Sequence, residues 1–307
     1  APHPNELKMS RWSNVEEAPP DPILGVSVAF NADTSDKKIN LGIGAYRDES
    51  GKPWVLGCVK AAEKKICDDL NSGAINKEYL PVQGFQPFLD VTSQVILGKD
   101  SSIIKEKKLA VVQTLSGTGA LRVAAEFLST YNPGVNVYCS DPTWGNHHAI
   151  FKKAGLTTFK YRYLTKTMTL DIDGMLADLE AAPDGSVFVL HTVAHNPSGV
   201  DPTPDQWKKI ADVVEKKKAI PIFDTAYQGY ATGDLDKDAF SVRYFAHERG
   251  MELMVTQSYS KNFGLYGERI GALNIVVKDP ASAVKIRSQL NIITRAMISN
   301  PPLQGAR

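Results

Sequence analysis

The stretch SYSKNFGLYGER, residues 258–269, sets one lysine, Lys261, after two serines and a tyrosine and eight positions before an arginine, Arg269. Most lysines are solvated surface groups, because burying an unpaired ammonium is costly. Lys261 follows an apolar run, however, and a lysine held where water is scarce loses basicity and can form a Schiff base with a carbonyl. Arg269 adds a planar fork of donors that suits a phosphate. The pair points to carbonyl chemistry on a phosphorylated ligand, against the plainer reading of two exposed cations.

Four further stretches carry chemistry of their own. SGTGA, 116–120, offers backbone N–H groups and hydroxyls between a strand and a helix, which makes either a phosphate cradle or an ordinary glycine-rich turn. It fits neither the P-loop nor the dinucleotide fingerprint. DPTWGNHH, 141–148, puts Trp144 just past a strand end, where its ring either faces a planar ligand or packs into the core. In HTVAHNPSG, His191 and His195 stand four apart, but they lack the glutamate of a zinc-binding helix and fall on a strand, so no metal is expected. Asn196-Pro197 beside Gly199 reads as a turn whose X-Pro bond is open to the cis form. IFDTAYQG, 222–229, ends an apolar strand on Asp224 with Tyr227 close by; a carboxylate there needs a cationic partner.

These residues must be positioned by regular elements, and the apolar runs supply them. Strands are expected at 109–115, 136–140, 157–163, 186–194, 219–227, 251–260 and 272–277, short and apolar enough to be buried on both faces. LRVAAEFLSTY, HHAIFKKAG and DQWKKIADVVEKKKA mix apolar stripes with charge at helical spacing and read as covering helices. Such alternation implies an α/β domain with a mostly parallel sheet, whose ligands sit outside the carboxyl ends of the strands. The first fifty or so residues differ, being rich in Pro, Asp and Asn with one strand-like run, INLGIGAY.

Composition limits the partners. The 307 residues are 43% hydrophobic and 22% charged, as in an ordinary globular chain. Thirty-five basic against 34 acidic side chains leave a formal charge of +1, no global field for nucleic acid or an anionic membrane, so small molecules are the expected partners. Cys58, Cys67 and Cys139, an odd number without CxxC spacing, fit reduced thiols in an intracellular compartment; the cytoplasm is expected, with the mitochondrial matrix as the alternative.

A lysine, a phosphate cradle, a strand-end carboxylate and a stacking ring together describe a site for pyridoxal phosphate. The order of motifs goes further: APPDPILGV, NLGIGAYRDE, EYLP, SGTGALR, DPTWGNH, AHNPSGVDP, FDTAYQG, SYSKNFGLYGERIGA and RAMISNPP run end to end along the chain. In this it resembles the aspartate aminotransferase family of fold-type-I pyridoxal-phosphate enzymes. The resemblance implies an α/β fold with a mostly parallel mixed sheet between helices in a large domain, residues 49–307, preceded by an N-terminal arm and the start of a smaller domain at 1–48. The rest of that small domain, with the family's arginine for the substrate α-carboxylate, is expected beyond the C-terminal end.

By the same resemblance Lys261 would hold the cofactor covalently and shuttle the substrate proton, Asp224 would pair with the ring nitrogen and His147 would orient Asp224. Trp144 would stack on the ring, while Asn196 and Tyr227 would bond its phenolic oxygen. Ser116, Gly117, Thr118, Ser258, Ser260 and Arg269 would hold the phosphate. Tyr79 and Arg295 would cross a homodimer interface, Tyr79 to the partner's phosphate and Arg295 to the partner's substrate side chain. Gly44 would lie beside the substrate, where a side chain would intrude. The implied reaction exchanges an amino group between L-aspartate and 2-oxoglutarate by a ping-pong route. The alternatives are an aromatic or dual-specificity aminotransferase, or a non-catalytic dimerisation or binding fragment of the same fold.

Overall fold

The computed structural model describes residues 10–18, 22–40, 42 and 44–307, and the chain divides into two compact units, 1–53 and 54–307. In the first, a helix spans Pro22–Ala32, and Arg47 pairs with Pro53 in an isolated bridge. Of the expected strand INLGIGAY, the described residues form no ladder, and 41 and 43 lie outside the described set. Gly42 and Gly44 give it two positions with nothing to pack and extra backbone entropy to lose.

The larger unit is built on seven strands: β1 (Leu109–Leu115), β2 (Asn136–Asp141), β3 (Thr157–Arg162), β4 (Val187–His191), β5 (Ile220–Thr225), β6 (Leu253–Ser258) and β7 (Ile270–Val276). They lie in the order β1-β7-β6-β5-β4-β2-β3. Every pairing is parallel except those of β7, which runs against both β1 and β6. All seven expected strands are present. The run expected to reach residue 194 leaves the sheet after His191 because Ala194 turns into the left-handed region at φ 51°. There the N–H groups of Ala194 and His195 donate to the Asp201 carboxylate, at 2.7 and 2.9 Å, instead of to a neighbouring strand.

Two layers of helices close the sheet, and the strands alternate between them. Val187 and Val189 point into one core with Ile222 and Met254. Phe188 and Leu190 point into the other with Phe223 and Val255. Burial on both faces is why these strands read as continuous apolar runs. The helix Pro204–Lys216 starts where its sequence says it should: Thr203 and Gln206 form a reciprocal capping box and Pro204 takes the first turn. SGTGA is not a loop ahead of a helix but the first turn of the helix Ser116–Tyr131.

Candidate functional site

The reversed strand β7 decides what gathers at the sheet's edge. Because β7 lies between β1 and β6 and runs the other way, its first residues meet the last residues of both: Ile270 pairs with Leu115 and Gly271 with Ser258. Arg269, one residue before β7 and in the left-handed region at φ 54°, is thereby set between Ser116 and Ser258. Its carbonyl accepts the Ser116 N–H at 3.1 Å. The approach is close enough that a Cβ on Gly271 would stand 2.6 Å from the Ser116 carbonyl carbon, so only glycine fits.

Around this crossing the hydroxyls collect. Ser116 Oγ lies 2.8 Å from Ser258 Oγ and 2.9 Å from Ser260 Oγ, and Arg269 Nη1 donates to Ser260 Oγ at 3.4 Å. The helix Ser116–Tyr131 begins here, so its free N–H groups and the positive end of its dipole face the same spot. A Cβ on Gly117 would press Ser258 Cβ at 3.1 Å, so a side chain there would fill the cradle.

The opposite end is built on a carboxylate. Asp224, next to the last residue of β5, has one oxygen, Oδ2, 2.9 Å from His147 Nε2 and the other, Oδ1, accepting from the Thr256 hydroxyl at 3.3 Å. His147 is fully buried, and its Nδ1 lies 2.8 Å from Thr143 Oγ1. Where a cationic partner was expected, Asp224 meets an imidazole, oriented from behind by a threonine. Trp144 stands edge-on to His147, 5.3 Å between centroids; it is half-buried and lines the cleft, so it is not simply a core tryptophan. Asn196 bonds the Tyr227 hydroxyl, whose pKa is raised by burial first and by Asp224 second. The Asn196-Pro197 bond is cis, as is Asp141-Pro142.

Between the two ends lies Lys261. Burial lowers its pKa, Arg269 lowers it further, and Asp224 opposes both. Its backbone carbonyl accepts from the Tyr230 hydroxyl at 3.0 Å. The amine lies 5.6 Å over the Tyr266 ring.

A cavity of about 250 Å³ is lined by Ser116, Gly117, Thr118, Trp144, Asn196, Asp224, Tyr227, Ser258, Ser260, Lys261 and Arg269, with Ala226 and His191 added. His147 stands behind Asp224. Two further expected site residues of the larger unit lie outside this lining, and a third is in the smaller unit. Tyr79 is 81% exposed; Arg295, also exposed, donates to Ser299 Oγ and Asn300 Oδ1 at 2.7 and 3.1 Å; Gly44 belongs to the smaller unit. Sequence reasoning passed over His191, weighing it only as a metal ligand. Its signal was position, the last residue of a strand beside Asp224 in register. Among the described residues no cluster could hold a metal ion.

Residues 36–307 match the family Aminotransferase class I and II. The chain belongs to this family. It is 54% identical over 302 residues to the chloroplastic aspartate aminotransferase of Arabidopsis thaliana, covering 98% of this chain and 66% of that protein. Among solved structures, the cytoplasmic aspartate aminotransferase of Saccharomyces cerevisiae superposes with a TM-score of 0.92 at 45% identity, over 96% of this chain and 73% of that one. An aromatic-amino-acid aminotransferase from Burkholderia pseudomallei, covalently bound to pyridoxal phosphate, gives 0.93 at 42% identity, over 97% and 73%. The chain therefore spans about two thirds of the length of the curated aminotransferases it matches. As an α/β member of the class, it carries a mixed sheet of seven strands between helices.

Proposed function

We propose that the protein is a pyridoxal-phosphate-dependent aspartate aminotransferase, exchanging the amino group between L-aspartate and 2-oxoglutarate to give oxaloacetate and L-glutamate. The observation that carries this reading is the placement of a part-buried, imidazole-held carboxylate, Asp224, in one cleft with a lysine of lowered basicity, Lys261. The cleft fits the cofactor on its own terms: the glycine cradle at Gly117 and the arginine–serine cluster suit a phosphate, and a carboxylate without a charged side-chain cation beside it suits a protonated ring nitrogen.

When bound, the cofactor supplies an electron sink for the bonds at the substrate α-carbon. The protein's residues do the rest. Ser116, Gly117, Thr118, Ser258, Ser260 and Arg269 fix the phosphate and thereby the position of the reacting carbon. Asp224, oriented by His147, holds a proton on the ring nitrogen. Trp144 covers a face of the ring; Asn196 and Tyr227 bond its phenolic oxygen. Lys261 would hold the cofactor covalently, and its free amine would carry the proton to and from the substrate α-carbon, a role its lowered basicity suits.

Tyr79 and Arg295 act from a neighbouring subunit in this reading, Tyr79 on the phosphate and Arg295 on the distal carboxylate of the substrate. Their placement supports it: both are exposed, and Arg295 bonds Asn300, whose side-chain N–H donates at 2.7 Å to the carbonyl of Leu80, next to Tyr79. Gly44 is assigned to the substrate side. Relatives are named as chloroplastic, mitochondrial and cytoplasmic enzymes; the free cysteines fit a reducing compartment, and the proposed one is the cytoplasm, with the mitochondrial matrix as the alternative. The second reading, an aromatic or dual-specificity enzyme, rests on the Burkholderia likeness.

The test is a pair of half-reactions. Protein reconstituted with pyridoxal phosphate should show a visible absorbance band that aspartate abolishes and 2-oxoglutarate restores. A band indifferent to aspartate, to phenylalanine and to 2-oxoglutarate, with bound cofactor, would leave only the binding-fragment alternative.

A further inference from the structure

His191 is 93% buried by its 7% exposure, yet it lines the cleft, and its Nε2 has no hydrogen-bond partner. Such an atom is rare in a folded interior, because a lost hydrogen bond is not repaid by burial. Its other nitrogen is spoken for: Nδ1 accepts from the backbone N–H of Asn196 at 3.1 Å. A backbone N–H can only donate, so Nδ1 carries no proton and the hydrogen of the neutral ring must sit on Nε2.

The ring is also fixed in place. It stands edge-on to His147 at 5.2 Å and lies 4.3 Å from His195, which stacks on Tyr163 at 3.8 Å. His195 is itself tied at both nitrogens, to Ser140 and Ser198. The loop that supplies the Asn196 N–H is clamped by Asp201. Burial first, then the neighbouring His147 and His195, keep the His191 imidazole neutral. A donor of known tautomer is thus held at the cleft wall beside Asn196, with no acceptor from the protein.

We infer that His191 is a ligand-contacting residue of the cleft, whose Nε2–H donates to an acceptor oxygen on the ligand edge that Asn196 and Tyr227 also hold. This rests on the pyridoxal-phosphate reading, in which that oxygen is the phenolic one. A third donor there stabilises the deprotonated oxygen and so lowers the pH at which the bound cofactor's visible band titrates.

The experiment compares the wild type with His191→Phe, which keeps a flat ring and loses the donor, and His191→Gln, which restores an amide N–H near Nε2. The readouts are the pH midpoint of the visible band and the affinity for pyridoxal phosphate. The Phe variant should titrate higher by roughly half a pH unit or more and bind about three- to tenfold more weakly, and the Gln variant should recover part of both. Should His191→Phe fail to fold, nitrogen-15 spectra of the wild-type imidazole decide instead. They should show a neutral Nε2–H tautomer whose proton shifts on adding pyridoxal phosphate, and an Nδ1–H tautomer or an unmoved proton overturns the inference. A wild type that shows the band, with a Phe variant titrating at the same pH and equal affinity, also overturns it while sparing the proposed function. A wild type with no band at all sinks both.

Discussion

At one end of the cleft three serines from two segments bond one another at 2.8 and 2.9 Å, and an arginine from a third position donates to one of them at 3.4 Å; at the other a single carboxylate is held by one imidazole and one hydroxyl. The serine–arginine end is redundant, since each hydroxyl has a neighbour to bond and any one can be lost with the others in place. The Asp224 end is not, because nothing else in the cleft lining carries a negative charge. Positioning is spread over many weak donors, and the reaction's electrostatics rest on single groups.

Substitutions that should break this contrast are graded accordingly. Lys261→Ala should reduce turnover to background while pyridoxal phosphate still binds noncovalently, because the cradle does not depend on the amine; equilibrium dialysis and steady-state assays measure the two separately. Asp224→Ala should come next, lowering kcat by about two to three orders of magnitude, the usual loss of one preorganised electrostatic group, with KM for aspartate changing far less. A change confined to KM would remove Asp224 from its role.

Arg295→Leu should cost about two orders of magnitude in kcat/KM for aspartate, the penalty of a distal carboxylate left unpaired, and much less for phenylalanine. Equal losses would make Arg295 a support of the fold or dimer and favour the aromatic reading.

The imidazole end also makes a pH prediction. His195 is held down to about 4 by burial first and His147 second, from an ordinary 6.5. The unfolded chain therefore takes up a proton at higher pH than the folded one. Stability should fall as the pH drops from 6.5 toward 4, by about 1.4 kcal/mol per pH unit for this one group. Denaturation midpoints at pH 7 and 5 would show it, and His195→Asn should flatten the slope. Smallest of all, Ser258→Ala should weaken cofactor binding by about fivefold, near 1 kcal/mol, because Ser116 and Ser260 keep each other.

Much of this was readable in the chain, for reasons that differ by residue. The seven strands were legible because burial on both faces leaves unbroken apolar runs. Lys261, Asp224 and Arg269 were legible because polar groups at the ends of such runs need explaining. The order of β7 was not: nothing local in IGALNIV says that it reverses and carries Arg269 between Ser116 and Ser258. His191 was hidden for the same reason, since its orphan nitrogen is a property of partners brought from Asn196 and the cleft.

The identity of the covalently bound residue decides most directly whether this cleft is the site of chemistry. Borohydride reduction of the protein loaded with pyridoxal phosphate, followed by peptide mass spectrometry, should place the added mass on the peptide carrying Lys261 and on no other lysine. Labelling spread over surface lysines, or none on Lys261, would contradict the assignment of this cleft as the site of chemistry.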